Sequence, residues 1–409
     1  MSGEDTGPAQ PARRIAPPPW LAQPAIHTLL SLLGDARFVG GAVRDTLLNR
    51  PVGDLDLATP LPPQEVLERL TAHGIRGVPT GLEHGTVTAL LAGHSIEITT
   101  LRRDVETDGR HAVVAFTSDW AADARRRDFT LNALYLDVAG DVWDPVGGLA
   151  DLAAGRIRFI GDPAARLEED VLRVLRFYRF QAHYGRTRPD PAARAACAAH
   201  ADRLDRLSGE RVRGELLKLL TADDPVPVLH AMEADGVLRR LLPMPVNPQR
   251  LARLLPLEPY GDGLRRLAAL LPSGSHEPVA DRLKLSTADR DRLARLTGGV
   301  APPALDADER AQRHALYHLG TPLYRDLILL AAAGTPRETP VTTLLALADA
   351  WHPPALPVGG ADVLAAGIPA GPAVGRLLAA LENWWIDGDF KADRAACLAK
   401  LHALATQIS

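Results

Sequence analysis

Residues 37–58 read RFVGGAVRDTLLNRPVGDLDLA, and most of the N-terminal fold can be inferred from them. The apolar run at 37–39 predicts a strand, the glycine pair after it a turn, and 42–48 a helix. Residues 52–58 then alternate with period two, which is typical of a half-buried strand. Side chains at i and i+2 of a strand share a face, so Asp54 and Asp56 should project together while the leucines enter the core.

Asp54 and Asp56 form a candidate catalytic and metal-binding pair. Two like charges this close are unfavourable unless a cation lies between them. Paired carboxylate oxygens suit Mg²⁺ that bridges a substrate triphosphate. The upstream glycines would let backbone N–H groups approach phosphate at the start of a helix. A solvated strand edge after an ordinary turn is the alternative that these residues leave open.

A third carboxylate is predicted on the same sheet surface. Within the strand at 95–101, Glu97 alternates with Ile96 and Ile98 and so faces away from the buried isoleucines. It is a candidate catalytic residue beside the aspartates. A solvated glutamate explains the same pattern equally well.

An arginine cluster at 125–127 leads into Asp128 and Asn132. Arginines beside a metal-bound triphosphate would neutralise its charge. Asp128 and Asn132 can hydrogen-bond ribose hydroxyls. Three consecutive arginines cannot all face one way, so we expect some of them to face solvent.

Residues 166–183 have the period of one amphipathic helix, which should end at Gly185. Asp170 and Arg173 would be neighbours on that helix. An acceptor beside a donor matches the amino group and ring nitrogen of cytosine and of adenine, whereas guanine and uracil present the reverse order. The pair could therefore select C and A without a nucleic-acid template. A surface ion pair worth roughly a few tenths of a kcal/mol is the alternative.

The chain as a whole predicts an α+β fold. Residues from about 25 to 150 mix strands and helices, and helical patterns of Ala, Leu and Arg follow from about 151 onward. The first 24 residues are rich in proline and alanine and lack a continuous apolar stretch. We expect them to be a disordered lead-in and not a secretory signal.

Composition narrows the functional classes. The 409 residues are 46% hydrophobic, which excludes global disorder. A net charge of −4 means that a polyanionic partner needs a locally basic surface, and 5% aromatic residues disfavour an extended base-stacking platform. Two cysteines exclude a disulfide framework, and no apolar run approaches the ~20 residues of a membrane span. We therefore expect a cytoplasmic protein with no membrane contact.

Five motifs in order resemble the class II tRNA nucleotidyltransferase / bacterial poly(A) polymerase family. They span roughly residues 25–245 and lie at 40–56, 126–133, 144–152, 169–173 and 209–220. The resemblance implies an N-terminal nucleotidyltransferase β-sheet head followed by an all-α neck, body and tail. We expect the head at 25–150, the neck with a nucleobase-selecting helix at 151–220, the body at 221–330 and a tRNA-binding tail at 331–409.

The resemblance also implies roles for single residues. Asp54 and Asp56 would bind metal, and Asp170 with Arg173 would be the protein's own base template. The positions that match nucleotide-binding motifs are Gly41, Arg44, Arg127, Asp128, Asn132, Asp170, Arg173 and Arg176. The segment at 104–111, with Asp108 and Arg110, matches a flexible loop thought to assist the switch from C to A addition. Arg211, Arg213 and Lys218 are candidates for RNA phosphates, with solvated helix faces as the alternative.

The activity implied is template-independent addition of C, C and A from CTP and ATP to the 3′ end of tRNA, with Mg²⁺ in a two-metal mechanism that releases pyrophosphate. The loop at 104–111 favours complete CCA addition. CC-only, A-only and poly(A) addition share the motifs and stay open as alternatives. A catalytically inactive RNA-binding protein has no reason to retain paired carboxylates, and transfer to a small molecule leaves the long helical part unexplained.

Overall fold

The computed structural model describes residues 10–108, 111–335 and 341–406, with side chains described outside 104–114. Its contacts divide the chain into two compact units. The first runs to Pro245 and includes Glu277–Ser286, and the second comprises Val246–His276 and the chain from Thr287 onward. The α+β class is confirmed, because a mixed sheet is followed by helices. The predicted boundaries at 150, 220 and 330 stay predictions.

The described residues form ten strands. These are β1 (Arg13–Arg14), β2 (Arg37–Val39), β3 (Leu55–Thr59), β4 (Arg76–Gly81), β5 (Thr86–Leu91), β6 (His94–Thr100), β7 (Arg102–Asp108), β8 (His111–Phe116), β9 (Tyr135–Leu136) and β10 (Asp141–Trp143). Eight of them make one sheet in the order β1, β10, β9, β2, β3, β6, β5, β4, while β7 and β8 pair as a separate hairpin. Within the eight-stranded sheet, β3 and β6 run parallel and the other neighbours antiparallel.

Helices of the first unit cover the sheet and continue the chain beyond it. They are α1 (Pro24–Leu33), α2 (Gly41–Leu47), α3 (Pro63–Ala72), α4 (Trp120–Arg125), α5 (Gly148–Ala154), α6 (Pro163–Glu169), α7 (Leu172–Tyr184), α8 (Pro191–Ala199), α9 (Gly209–Leu220), α10 (Val226–Ala234) and α11 (Leu238–Leu241). Short 3₁₀ helices lie at Leu82–His84, Thr130–Asn132 and Ala201–Arg206.

The second unit is helical. Its helices are α12 (Pro248–Leu254), α13 (Gly263–Leu270), α15 (Thr287–Ala294), α16 (Glu309–Leu319), α17 (Thr321–Gly334), α18 (Val341–Ala350), α19 (Gly360–Ala365), α20 (Pro372–Asp387) and α21 (Arg394–Thr406), with α14 (His276–Arg282) at the boundary and a π-turn at Arg295–Gly299. Leu377, Leu381, Trp385 and Leu401 form part of an apolar core between its last helices. In the part of the chain that the structure describes, no helix is long and apolar enough to cross a membrane.

The alternation predicted for residues 52–58 determines how β3 sits in the sheet. Leu55 and Leu57 are buried, whereas Asp54 is exposed and Asp56 half-buried. β3 lies inside the sheet, between β2 and β6. Asp56 therefore lies on an interior strand of the sheet, and Asp54 comes immediately before that strand, which begins at Leu55 and not at the predicted residue 52.

The lead-in predicted to be disordered has a defined place from residue 10 onward. β1 pairs with β10, and the Ile15 N–H donates to the Gly140 carbonyl at 2.9 Å. The Trp20 ring meets Phe38 edge-on at 4.7 Å, and its Nε1 donates to Thr46 Oγ1 at 3.1 Å. Burial of aromatic surface and strand pairing offset the entropy lost on ordering. Residues 1–9 lie outside the described part.

The single helix predicted over 166–183 is wrong. α6 ends at Glu169, Asp170 takes an extended conformation with φ −154° and ψ 107°, and α7 begins at Leu172. Asp170 Oδ1 accepts a hydrogen bond from the Leu172 N–H at 3.0 Å. A carboxylate that satisfies a free N–H at the start of a new helix favours a break that apolar periodicity does not reveal.

Candidate active site

Three carboxylates meet on one face of the sheet. Asp56 on β3 and Glu97 on β6 are direct neighbours in the parallel register, and Asp54 precedes Asp56 by two residues. Burial raises the pKa of Asp56, Glu97 and Asp54 raise it further, and the Arg127 guanidinium opposes them. The predicted side-by-side arrangement of the three acids is therefore present, and their catalytic roles stay a prediction.

This acidic surface has the donor chemistry that a divalent cation requires. The three carboxylates repel one another, and hard cations prefer such oxygens. Among the described residues, no group of three or more His, Cys, Asp or Glu side chains is arranged to hold a metal alone.

A cavity of about 440 Å³ opens next to Asp56. Its wall combines residues from the glycine turn, the arginine cluster and α7; they are Gly40, Gly41, Arg44, Asp56, Arg126, Arg127, Asp128, Asn132, Asp170, Leu172, Arg173, Arg176 and Phe180. All eight predicted nucleotide-binding residues are in this wall. Gly41 and Arg176, which are 135 residues apart in sequence, thus meet around one space of ligand size.

The glycine turn brings backbone close to the carboxylates. Gly40 has φ +73°, a left-handed conformation that favours glycine, and a Cβ there would lie 3.9 Å from Asp56 Oδ2. Gly41 begins α2. The turn therefore keeps the floor of the cavity free of side chains beside Asp56.

Arg127 is held in place by Asp123. Asp123 is 1% exposed, and its Oδ2 accepts from Arg127 Nη2 at 2.9 Å and from Tyr135 Oη at 2.8 Å. Its Oδ1 accepts from Arg126 Nε at 2.9 Å. Burial would raise the pKa of Asp123, but the two guanidinium groups and the Tyr135 hydroxyl lower it to about 2. Asp123 therefore stays ionised and fixes both arginines.

Asp128, Asn132 and Arg44 form a buried chain of hydrogen bonds. Asn132 Nδ2 donates to Asp128 Oδ1 at 3.1 Å, and Arg44 Nη1 donates to Asn132 Oδ1 at 2.8 Å. Arg176 Nε donates to Asp128 Oδ2 at 2.7 Å. Burial would raise the pKa of Asp128, but Arg176 and the hydrogen bonds hold it below its usual range. The chain joins α2, the 3₁₀ turn and α7 on one side of the cavity.

Asp170 and Arg173 both line the cavity, but neither is the other's side-chain partner. Asp170 Oδ2 accepts from Arg211 Nη2 at 2.7 Å. Arg173 Nη1 donates to the Arg166 carbonyl at 2.9 Å and to the Glu169 carboxylate. The acceptor and the donor proposed for base selection are thus each oriented by a different residue, with Asp170 outside the helix that carries Arg173.

Arg166 links the segment that carries Asp170 and Arg173 to the segment that carries the arginine cluster at 125–127. Its Nη2 donates to the carbonyls of Arg125 and Arg127 at 2.6 and 2.7 Å, and its Nη1 donates to both oxygens of Glu169 at 2.8 Å. The side chain is 10% exposed. One buried guanidinium therefore positions two walls of the cavity.

The remaining predicted residues are placed as follows. Arg211 Nη2 donates to Asp170 Oδ2, Arg213 Nη1 donates to the Lys284 carbonyl, and Lys218 is exposed. Their roles in RNA binding stay predictions. Asp108 ends β7, and its side chain and Arg110 lie outside the described part.

Sequence reasoning missed Asp123, Glu169 and the orienting role of Arg211. Asp123 lies three and four residues before Arg126 and Arg127 on a helical turn, and that spacing could have suggested ion pairs.

Residues of the motif at 144–152 stabilise the local structure. Asp144 caps α5, and Asp151 Oδ2 accepts from Thr130 Oγ1 at 2.6 Å.

Comparison with known proteins identifies the family. The model of the Poly A polymerase head domain matches residues 36–158, and that of the probable RNA and SrmB-binding site of polymerase A matches residues 188–246. The mouse mitochondrial CCA tRNA nucleotidyltransferase 1 is 33% identical over 385 residues, which cover 88% of this chain and 85% of the relative. This chain belongs to the CCA-adding enzyme family.

Other members agree with that assignment. The CCA-adding enzyme of Limosilactobacillus fermentum is 31% identical over 91% of this chain and 94% of its own length. The crystal structure of the Bacillus stearothermophilus CCA-adding enzyme in complex with CTP superimposes with a TM-score of 0.72, at 27% identity, over 93% of this chain and 96% of that one. The resemblance inferred from the five motifs is therefore confirmed.

Proposed function

We propose that this enzyme adds C, C and A from CTP and ATP to the 3′ end of tRNA, without a template, and releases pyrophosphate. The observation that carries the proposal is the 440 Å³ cavity, in which Asp56, Arg127, Asp128, Asp170 and Arg173 share one wall. A catalytic carboxylate, a cationic surface for phosphates and a polar pair for the base are the three parts that nucleotidyl transfer requires.

Asp54 and Asp56 would hold the catalytic metal, which we take to be Mg²⁺, and Glu97 would add negative charge beside it. Bound there, the metal would supply Lewis-acid activation of the RNA 3′-hydroxyl and of the α-phosphate. Donor type supports this assignment, since three crowded carboxylates gain from a hard cation.

Arg127 would bind the triphosphate. Asp123 and Tyr135 fix its guanidinium, so little side-chain entropy is lost when a phosphate binds. Preorganised positive charge stabilises the charge that develops on the departing pyrophosphate. Asp128 and Asn132, coupled to Arg44 and Arg176, would contact the ribose.

Asp170 and Arg173 would read the base edge. The free lone pairs of Asp170 can accept from the amino group of cytosine or adenine, and Arg173 can donate to the neighbouring ring nitrogen. Guanine and uracil would leave both groups mispaired, at a cost of roughly 1–3 kcal/mol for each unpaired group. A cytoplasmic location remains a prediction from the two buried, free cysteines.

Product length on defined primers tests the proposal. We would incubate the enzyme with tRNA transcripts that end before CCA, after the first C or after CC, and with an unrelated RNA. Each nucleotide would be supplied alone and together, with Mg²⁺. Complete CCA addition to tRNA, and none to the unrelated RNA, is the expected result.

The same assay separates the alternatives. Arrest after CC with both nucleotides present would indicate CC-only addition. Extension of only the CC-ended transcript would indicate A-only addition. Long adenylate tracts on any RNA would indicate poly(A) activity, and no product would indicate an RNA-binding protein without catalysis.

A further inference from the structure

Tyr184 is the last residue of α7, and its ring lies against Arg44 of α2. The Arg44 Cζ is 4.1 Å from the centre of the Tyr184 ring and 5.3 Å from the centre of the Phe180 ring. The two rings are four residues apart on α7 and stack, with centroids 5.6 Å apart and an interplanar angle of 30°. A guanidinium within about 6 Å of a ring centre is attracted to the ring face. Two aromatic side chains of α7 therefore hold Arg44 from one side.

Hydrogen bonds hold the edge of the same guanidinium. Nε and Nη2 of Arg44 donate to the two carboxylate oxygens of Asp45 at 3.0 and 2.8 Å, and Nη1 donates to Asn132 Oδ1 at 2.8 Å. Of the five N–H groups of an arginine, one on Nη1 and one on Nη2 are left here without a partner among the described residues. Arg44 lines the 440 Å³ cavity beside Asp56 (the nucleotide cavity), so these two donors are available to a ligand there.

Tyr184 is half-buried and is not itself part of the wall of the nucleotide cavity. Burial raises the pKa of the Tyr184 hydroxyl, Arg44 opposes the rise, and Asp45 adds to it through its charge and a side-chain hydrogen bond. The hydroxyl therefore stays protonated at neutral pH, and a neutral ring faces the cation. Tyr184 thus contacts both Arg44 and the carboxylate that pairs with it, from a position behind the cavity wall.

We propose that Tyr184 is a positioning residue whose ring fixes the Arg44 guanidinium so that its two unpaired N–H groups bind oxygens of the ribose triphosphate, the part that CTP and ATP share. The inference rests on the proposed function. A guanidinium against an aromatic face keeps the N–H groups at its edge free to donate. Because the ring restrains the guanidinium beforehand, less side-chain entropy is lost when a nucleotide binds. Tyr184 should therefore affect the affinity for both nucleotides alike and should not affect the choice of base.

Removal of the ring tests this inference. In Tyr184→Leu, which keeps a bulky apolar side chain, we expect the KM for CTP and the KM for ATP each to rise about fivefold, with kcat unchanged. The KM for a tRNA transcript that lacks CCA and the preference for CTP over UTP should also be unchanged. Tyr184→Phe keeps the ring and should restore both nucleotide KM values to within about twofold of wild type. Tyr184→Met, a second replacement without a ring, should behave like Tyr184→Leu.

A double variant shows whether Tyr184 acts through Arg44. Arg44→Ala removes the donors themselves and should raise both nucleotide KM values by more than Tyr184→Leu does. Addition of Tyr184→Leu to Arg44→Ala should then raise them no further, because the ring has no guanidinium left to hold in the cavity. Arg50 is exposed, and its Cζ lies 4.9 Å from the centre of the same ring. Arg50→Gln, the matched control, removes this second guanidinium and should leave both KM values unchanged.

Titration calorimetry of CTP and of ATP without RNA measures binding in the absence of turnover, and the Kd for each should rise about fivefold in Tyr184→Leu. Unchanged Kd values in folded Tyr184→Leu and Tyr184→Met proteins would overturn the inference. So would an equal loss in Arg50→Gln, or a further loss when Tyr184→Leu is added to Arg44→Ala. A rise for only one nucleotide would place the contact at the base and also overturn it. A wild-type enzyme that binds CTP but incorporates nothing refutes the proposed function, and the binding comparison still decides the role of Tyr184.

Discussion

The carboxylate of Asp170 is held by Arg211, whose Nη2 lies 2.7 Å from Asp170 Oδ2. Arg211 belongs to α9, and Asp170 lies in the break between α6 and α7. The acceptor assigned to base selection is therefore oriented from a distant part of the chain, 41 residues further on. Base selectivity should depend on a residue that does not line the nucleotide cavity.

Loss of Asp170 should relax selectivity more than it slows turnover. In Asp170→Ala we expect incorporation of GTP and UTP relative to CTP to rise about tenfold or more. The reason is that guanine and uracil no longer meet a carboxylate acceptor with which their carbonyl groups mispair. Arg211→Ala should move selectivity in the same direction by a smaller factor. Arg213→Ala, two residues along the same helix, is the matched control. Identical nucleotide preference in wild type and Asp170→Ala would remove the template assignment.

Divalent cations should stabilise the wild-type protein through Asp54 and Asp56. At a free Mg²⁺ concentration a hundredfold above its Kd, we expect the free energy of unfolding to rise by about 3 kcal/mol. Asp56→Asn should lose this gain together with nucleotide incorporation, while keeping its fold, since it removes one of three crowded carboxylates. Glu68→Gln on the exposed face of α3 serves as control. An equal cation-induced stabilisation in Asp56→Asn would contradict the metal assignment.

Asp123 should matter to both stability and triphosphate binding. Asp123→Asn leaves two guanidinium groups without their carboxylate, and we expect it to lower the free energy of unfolding by about 3 kcal/mol. The KM for CTP should rise about tenfold as Arg127 loses its fixed position. Tyr135→Phe, which removes one hydrogen bond, should cost about 1 kcal/mol. A normal KM in a folded Asp123→Asn enzyme would exclude the positioning role.

The same carboxylate should give the protein an acid-sensitive contribution to stability. The pKa of Asp123 is about 2 in the folded protein against an ordinary value of 3.8. A carboxylate whose pKa is lowered by folding contributes its full stabilisation at pH values above the pKa of the unfolded state. That contribution is lost as the pH falls through the pKa of the folded state. We expect about 2 kcal/mol to disappear between about pH 4 and pH 2, so the difference in urea unfolding between wild type and Asp123→Asn should narrow over that range. A difference in unfolding free energy between the two proteins that stays constant over this pH range would show that Asp123 is not the source of the acid sensitivity.

Replacement by alanine of one glycine in α5 and one in α9 should change the stability of the protein in opposite directions. A Cβ on Gly148 would lie 2.2 Å from the Thr130 carbonyl oxygen, whereas nothing lies within 4 Å of one on Gly214. Gly148→Ala should lower the free energy of unfolding by about 2–4 kcal/mol and raise the KM for CTP by displacing the turn that carries Asn132. Gly214→Ala should raise stability by about 0.5–1 kcal/mol, since alanine favours helix. Thermal unfolding of both variants measures the contrast.

Local patterns predicted the parts of the site that depend on local geometry. Period-two alternation placed Asp56 on β3 and Glu97 beside it on the same face, whereas Asp54 comes immediately before the strand, which begins at Leu55. The parallel pairing of Asp56 with Glu97 depends on strands 41 residues apart, so no local pattern could establish it. The spacing of Asp123 from Arg126 and Arg127 could have suggested its ion pairs, but its hydrogen bond from Tyr135 joins residues 12 apart and follows from no local pattern.

The lead-in and the helix break show where composition and periodicity mislead. Proline-rich composition predicts disorder for the lead-in, yet β10 supplies strand pairing, Phe38 apolar surface and Thr46 a hydrogen bond for it. Apolar spacing continues through 166–183, yet Asp170 interrupts the helix by bonding to the Leu172 N–H. In both places a tertiary or capping contact outweighs the average preference of the segment.

Arg166 bears on how freely parts of such enzymes can be recombined. The residue follows the β-sheet region in sequence, yet its guanidinium donates to the carbonyls of Arg125 and Arg127 within that region. The same guanidinium also donates to Glu169, next to Asp170. A hybrid chain spliced just after residue 150 would separate this anchor from the loop that it supports. In a chimera of two related enzymes, the junction should therefore lie beyond α7. Arg166 and the carbonyls to which it donates then come from the same enzyme.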